Sequence, residues 1–486
     1  MDNIDKELKE LGEQRMEHSL SLRKKKLNKF LLKRRLGIND NNYSIKKEEV
    51  IIREEFRNKK FNDLADLLNF CSTIFANEKS DINDIKFVIC LLKETQIKND
   101  KGEVGKSNLM KEMTKIFVKY VDNKFIVDEL LTILINITYY LPVETNTNLL
   151  TNDYLQIYSK LSEKYFNDEI IFNELITLLG NLSNDNILAQ KIFYETKLFE
   201  EIYHMSQNPK APKKKKDISI WFLAIFTNGI QKNNNFINNT QLFKSLIDIM
   251  TYNVQFDEYS LFCLYSLGHL SEIKETVEYL AKKKELFIYI FEKNKPDNYI
   301  MANKILINIT SYSEDINLFL IENYNAIPYI LKLIDSSSNL LKGQIIFLLG
   351  NIIENKPSKI NEILYNYGIY DKIFSFLNSP FVEILDKTVY IVNIILISLD
   401  NEGVFKLYQK NIHLKLMYIL KNDYKRDIIV KAIDAIIEFL QKDSQDGIIK
   451  QSFVDNGIKE ILINMEFDRN DTEIVYKTNE MLKNYF

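Results

Sequence analysis

Residues 131–138 read LTILINIT, and a short apolar run of this kind, carrying one asparagine, returns five more times. The others are LITLLGNLS (175–183), LAIFTNGI (223–230), LINIT (306–310), FLLGNII (347–353) and YIVNIIL (390–396). Their asparagines are Asn136, Asn181, Asn228, Asn308, Asn351 and Asn393, and a seventh run, YSLGHLS (265–271), puts His269 in the slot. Successive slots lie 45, 47, 41, 39, 43 and 42 residues apart. Self-similarity at that period in a helix-forming sequence marks a solenoid, in which each repeat buries its apolar face only against its neighbours.

Composition agrees. The 486 residues are 46% hydrophobic and 27% charged, with 13 Gly and 7 Pro, too few breakers for a β-sandwich or a disordered chain. Between the asparagine runs lies a second marker: NAIPYILKLI (325–334), YGIYDKIFSFL (367–377) and NGIKEILINM (456–465). Here Gly or Asn ends one helix and the next opens at once. These stretches resemble the opening of an armadillo repeat. The expected fold is all-α: a right-handed superhelical armadillo solenoid of about nine to ten repeats over residues 47–486, forming one cooperative body. The longest gap contains NPKAPKKKK (208–216), read as a solvated inter-repeat loop.

Cys71, Cys90 and Cys263 sit far apart in apolar runs, which excludes a disulfide framework or a cysteine zinc site and points to a reducing compartment. The N-terminus has no apolar signal region, and no stretch reaches about 18 apolar residues, so neither secretion nor membrane spanning is expected. The net charge of −3 hides an asymmetry. Residues 15–35, RMEHSLSLRKKKLNKFLLKRR, carry nine Lys or Arg against one Glu, a net +8, which leaves −11 for the rest. Residues 36–46 form a polar linker, so residues 1–46 make up a terminal segment and linker ahead of the solenoid. A basic arm on an acidic body can fold back on it or bind another acidic protein. Composition alone fits a nucleic-acid arm, a membrane-surface helix or a localisation tract equally well.

In a three-helix repeat the last helix is mostly buried and lines the inner wall. A polar residue at one fixed place there needs a reason, because an unpaired buried carboxamide costs about 1–3 kcal/mol. One reading is structural, each asparagine bonding a neighbouring repeat. The other is a ladder of carboxamides that engages both N–H and C=O of an extended peptide, whatever its side chains. Asp185, four residues after Asn181, and Asp386, seven before Asn393 and on its face, would then favour a basic ligand. Taken singly, each is more often a solvated surface carboxylate.

The arm separates the possibilities by its spacing. The string R-M-E-x-x-L-x-L-R-K-x-K, with K-R-R ten residues after Arg23, resembles the importin-β-binding segment of importin alpha. That family joins such a segment to armadillo repeats, and VYKTNEMLKNYF (475–486) is similar to its closing helix. The resemblance implies a nuclear import adaptor that shuttles between cytoplasm and nucleus. It would carry cargo proteins with Lys/Arg-rich localisation signals, reach the pore through importin beta, and leave the nucleus with an export receptor. By the same resemblance, Arg15, Arg23, Lys24, Lys25 and Lys26 bind importin beta. Lys33, Arg34 and Arg35 bind it too and occupy the cargo groove when it is absent. Asn136, Thr145, Asn181, Asp185 and Asn228 match the larger cargo site, and Asn308, Phe347, Asn351, Asp386 and Asn393 the smaller one.

The chain departs from the family where an aromatic, usually Trp, stands four residues before each groove asparagine. Those slots hold Thr132, Thr177 and Ala224 in the larger site and Lys304, Phe347 and Val389 in the smaller. The one tryptophan, Trp221, lies seven residues before Asn228. Losing three stacking contacts at about 1 kcal/mol each would weaken a peptide about a hundredfold. The region before the arm, DNIDKELKELGEQ, is acidic where the family is basic.

Catalysis is not expected: four scattered histidines, no phosphate loop and no nucleophile motif offer nothing to build a site on. Nor is a cofactor. Direct nucleic-acid binding would need a basic groove, and the groove candidates are neutral or acidic. The alternative reading is an armadillo scaffold for other proteins, with the arm an ordinary basic tail.

Overall fold

A computed structural model of the chain describes residues 61–94, 102–140, 147–184, 186–230, 239–312, 314–324, 326–354, 358–422, 424–443, 447–468 and 471–486. The basic arm, the linker and the expected boundary at residues 46 and 47 lie outside the described residues, as do Thr145 and Asp185. The described residues form helices and their connections, with no strand among them. They divide into two compact units, one ending at Leu270 and the other spanning Ser271–Phe486.

The first unit contains α1 (Leu64–Ala76), α2 (Ile82–Glu94), the single turn α3 (Glu103–Lys106), α4 (Leu109–Lys119), α5 (Lys124–Tyr140), α6 (Asn152–Tyr165) and α7 (Glu169–Ser183). It continues with α8 (Ile187–Tyr194), α9 (Lys197–Gln207), α10 (Lys213–Phe226), α11 (Thr240–Asn253) and α12 (Asp257–Leu270). The second unit opens with α13 (Lys274–Ala281), α14 (Lys284–Ile288, running into a π turn) and α15 (Tyr299–Thr310). Four triplets follow: α16 (Glu314–Asn323), α17 (Ala326–Ile334) and α18 (Asn339–Glu354); α19 (Ser358–Asn366), α20 (Ile369–Ser375) and α21 (Val382–Ser398); α22 (Asn401–Gln409), α23 (Ile412–Lys421) and α24 (Arg426–Gln441); α25 (Ile448–Asp455), α26 (Ile458–Asp468) and α27 (Thr472–Tyr485).

Local chemistry punctuates these helices. Asp168 caps α7 by accepting from the Ile170 and Ile171 N–H groups, and Asn186, Thr196, Asp400 and Asp471 cap α8, α9, α22 and α27 in the same way. Gly368 (φ 68°) and Gly457 (φ 82°) turn the chain from the first to the second helix of their triplets. They do so in the left-handed region where the lack of a Cβ removes the steric penalty. These are the glycines of the second sequence marker.

In each unit the third helices pack on one another in chain order. The first unit stacks α2, α5, α7, α10 and α12, and the second stacks α15, α18, α21, α24 and α27. Each unit thus has one continuous core along these helices, to which the first and second helices add their buried faces. The segment Ile220–Phe226 of α10 is buried on every side, and each such large apolar side chain contributes about 1.5–3 kcal/mol.

The lysine run is not a solvated loop. Lys213–Lys216 form the first turn of α10, and Lys215 and Lys216 are buried. Lys215 holds its ammonium 4.3 Å from the Phe166 ring centre and donates to the Phe166 carbonyl. Lys216 sits among Tyr252, Phe256 and Tyr259, 5.5–5.8 Å from each ring. Aromatic faces compensate the buried charge while the aliphatic stems pack. The outer two keep to the surface, where Lys213 pairs with Glu258 and Lys214 with Glu169.

Candidate functional site: the asparagine ladder of the third helices

The period in the sequence returns as a position in space. Asn136, Asn181, Asn308, Asn351 and Asn393 stand in the C-terminal halves of α5, α7, α15, α18 and α21, and Asn228 follows the end of α10. His269 occupies the slot on α12, with the Tyr265 ring edge-on at 4.6 Å.

Four of the amides bond the preceding repeat. Asn181 Nδ2 donates to the Ile135 carbonyl (3.5 Å) and to Thr138 Oγ1 (3.3 Å), and Asn351 Nδ2 to the Ile307 carbonyl (2.9 Å). In both cases the acceptor carbonyl belongs to the residue just before the previous ladder asparagine. Asn228 donates to Asn184 Oδ1 (2.8 Å) and Asn308 to Ser271 Oγ (2.8 Å). The ladder is therefore a structural seam between repeats, which was one of its two sequence readings. A carboxamide has a second N–H and two lone pairs, so this seam does not exhaust its bonding capacity. Asn136 and Asn393 are half-buried and make no side-chain hydrogen bond among the described residues.

The slots four residues earlier hold mostly core. Thr177, Ala224 and Val389 are buried, and Lys304, 3% exposed, is ion-paired with Glu272. Thr132 donates to Glu174 Oε1 at 3.2 Å. Phe347 alone among these slots presents a half-buried ring, and Tyr265 and Tyr390 are half-buried beside the ladder. Trp221 is fully buried and lies over Gly180 of the preceding third helix.

Charge differs between the units. In the second, the chain's own lysines bridge successive third helices. Lys431 of α24 reaches Asp386 of α21 at 2.5 Å, and Lys477 of α27 pairs with Asp434 of α24. Asp386 thus already holds an ammonium. In the first unit, Asp128 and Glu129 of α5 and Glu174 of α7 gather on one face, with Lys93 of α2 paired to Glu129 and Lys124 of α5 also close enough to act on Asp128. Burial, and then the neighbouring Asp128 charge, push the Glu174 carboxyl well above the usual carboxylate range.

The sequence reading missed two amides that serve the third helices. Gln190 Nε2 of α8 donates to the carbonyls of Ser183 (3.3 Å), Phe226 (3.0 Å) and Asn228 (2.8 Å), tying together the ends of α7 and α10. Asn317 Nδ2 of α16 donates to the Thr310 (3.1 Å) and Asn351 (3.5 Å) carbonyls, joining α15 and α18. Each stands nine residues after a ladder asparagine, the one signal that marks them. Among the described residues no disulfide joins the cysteines, no group of three side chains could hold a metal, and no helix is long and apolar enough to cross a membrane.

No protein-family model and no curated protein matches the chain. Among solved structures it is similar to an engineered protein seen in a crystal structure, with a TM-score of 0.69 and 14% identity over 86% of this chain and 98% of that one. At that identity the likeness shows the fold alone. A designed armadillo repeat protein is 18% identical with a TM-score of 0.42, over 49% of this chain and 98% of its own. A computationally designed armadillo repeat protein for modular peptide recognition is 18% identical with a TM-score of 0.43, over 50% and 99%. The class the chain's own geometry defines is an all-helical repeat scaffold, built of helix triplets with stacked third helices.

Proposed function

We propose that the protein is a nuclear import adaptor. It binds Lys/Arg-rich segments of cargo along the third-helix face and links them to importin beta through residues 15–35, acting by binding and not by catalysis. The observation that carries this reading is the pairing of two features in one chain: the spaced basic string from Arg15 to Arg35, and an asparagine that recurs at one slot on α5, α7, α15, α18 and α21 and just past the end of α10. The unengaged carboxamides of Asn136 and Asn393 support backbone capture of an extended ligand. Such a protein passes the pore with importin beta, returns with an export receptor, and resides in both cytoplasm and nucleus.

The test is fluorescence anisotropy of the full chain against importin beta and against a labelled Lys-rich signal peptide. Importin beta should bind the wild type, and replacing Arg23, Lys24, Lys25 and Lys26 together with Ala should weaken it at least tenfold. Replacing Lys33, Arg34 and Arg35 with Ala should tighten the signal peptide if those residues compete for the groove. Asp185→Lys should abolish binding at the larger site. No binding of importin beta to the wild type would sink the adaptor.

A second reading is a scaffold for other protein partners. It is favoured by the closed slots: Ala224 and Val389 are core, Lys304 is ion-paired, and Asp386 is held by Lys431. In that case the signal peptide fails to bind, and the ladder serves a ligand of different chemistry.

A further inference from the structure

The acidic face of the first unit contains more carboxylate than its surroundings compensate. Asp128 is more than nine-tenths buried, and no hydrogen-bond donor among the described residues reaches its Oδ1 or the Oε2 of Glu174, both sealed from solvent. The cations nearby are spoken for. Lys93 of α2 pairs with Glu129, and Lys124 of α5 pairs with Asp168 at 2.6 Å. From α10, Lys214 and Lys215 face Glu169 and Asp168 rather than this group. Among the described residues the one donor on Glu174 is the hydroxyl of Thr132, a turn after Asp128 on α5, at Oε1. Two adjacent carboxylates sealed in this way cannot both stay ionised, because each pays desolvation and repels the other.

We propose that Asp128 and Glu174 hold one proton between them, and that this shared proton locks α5 to α7 as a pH-sensitive device. The protonated Glu174 carboxyl donates to the Asp128 carboxylate across the two third helices, so the bond exists only while the proton is held. Both burial and the facing Asp128 charge raise the Glu174 carboxyl, in keeping with this arrangement. The sign follows. Folded protein binds a proton that unfolded protein releases above the ordinary glutamate value. The lock is complete below that value and is lost as pH rises through the raised one. The inference stands apart from the import reading, since it concerns the packing of two helices and no ligand.

Two measurements on the full chain test it. Infrared difference spectra of the wild type should show the C=O stretch of a protonated carboxylic acid at a pH above the ordinary glutamate range, lost as pH rises further and absent in Glu174→Gln. No such band in the wild type at any pH above the ordinary glutamate range would overturn the proposal. Amide hydrogen exchange over α5 and α7, corrected for the intrinsic base-catalysed rate, should lose up to about tenfold in protection per pH unit across the titration. The α21–α24 pair, held by Lys431 and Asp386, should not. Glu174→Gln, which keeps a donor toward Asp128 but cannot ionise, should flatten the dependence, and a slope equal to wild type would sink the lock. Should that variant not fold, Asp128→Asn supplies the amide from the other side, and the infrared result on the wild type decides alone.

Discussion

Gly180 stands one residue before Asn181 on α7, and a Cβ built there would come within 2.6 Å of Trp221 Cη2 and nearer still to Cζ3. Trp221, one repeat later, is fully buried on α10, so its ring is a packing element between two third helices. Gly180→Ala therefore sets two effects against each other. Removing a mid-helix glycine gains about 0.5–1 kcal/mol in helix propensity. Forcing a methyl into the indole costs about 1–3 kcal/mol. The clash should win, and urea denaturation followed by circular dichroism should show a net loss of about 1–2 kcal/mol. Adding Trp221→Phe should return part of the loss in a double-mutant cycle, because the smaller ring withdraws from the new methyl. The sequence displayed both residues, and a glycine precedes the slot again at Gly268 and Gly350. What it could not display is which side of α10 carries the indole. The distance from Trp221 to Asn228 invited comparison with groove aromatics, while the ring's actual partner lies on the previous repeat.

Helix boundaries were legible where a left-handed glycine marks them, as at Gly368 and Gly457. The stacking order followed from the period alone. What holds the ends of the third helices was not legible, since a polar residue in a first helix reads as solvated until its partner is known. Gln190 and Asn317 are such residues, and both are fully buried. Each supplies donors to C-terminal carbonyls that a helix cannot satisfy internally. Gln190→Ala should cost about 1–3 kcal/mol through the carbonyls left dry, with amide protection lost at the ends of α7 and α10. Asn317→Ala should do the same at α15 and α18. Because the two residues serve different units, the double variant should lose the sum within about 0.5 kcal/mol. A shortfall beyond that would mean that the two clamps share a partner.

At the scale of the whole chain, the single tryptophan provides a probe of one unit: Trp221 lies in the first, while circular dichroism reports helices of both. The second unit contains a group that acid should turn against it. His413 of α23 is 1% exposed, packed among Tyr408, Phe439 and Phe453, with Nε2 3.0 Å from Ser452 Oγ. Burial pushes its imidazole down to about 4. Unfolded protein therefore takes up a proton that the folded protein refuses, and stability falls as pH drops from about 6.5 toward 4, by up to about 3 kcal/mol. The carboxyl pair of α5 and α7 has the opposite sign, so acid favours the first unit where it disfavours the second. Asp168 and Asp471, both held below the usual aspartate value, stay ionised down to its lower end. In a repeat array, stability is a sum of local terms with nearest-neighbour coupling, so destabilisation reaches only as far as that coupling carries it. Lowering the pH from about 7 to about 4.5 should therefore move the denaturation midpoint read by circular dichroism further than the midpoint read by Trp221 fluorescence. His413→Phe, which fills the site without titrating, should bring the two readouts back together. If both midpoints shift equally in the wild type, the two units unfold as the single cooperative body that the period in the sequence led us to expect.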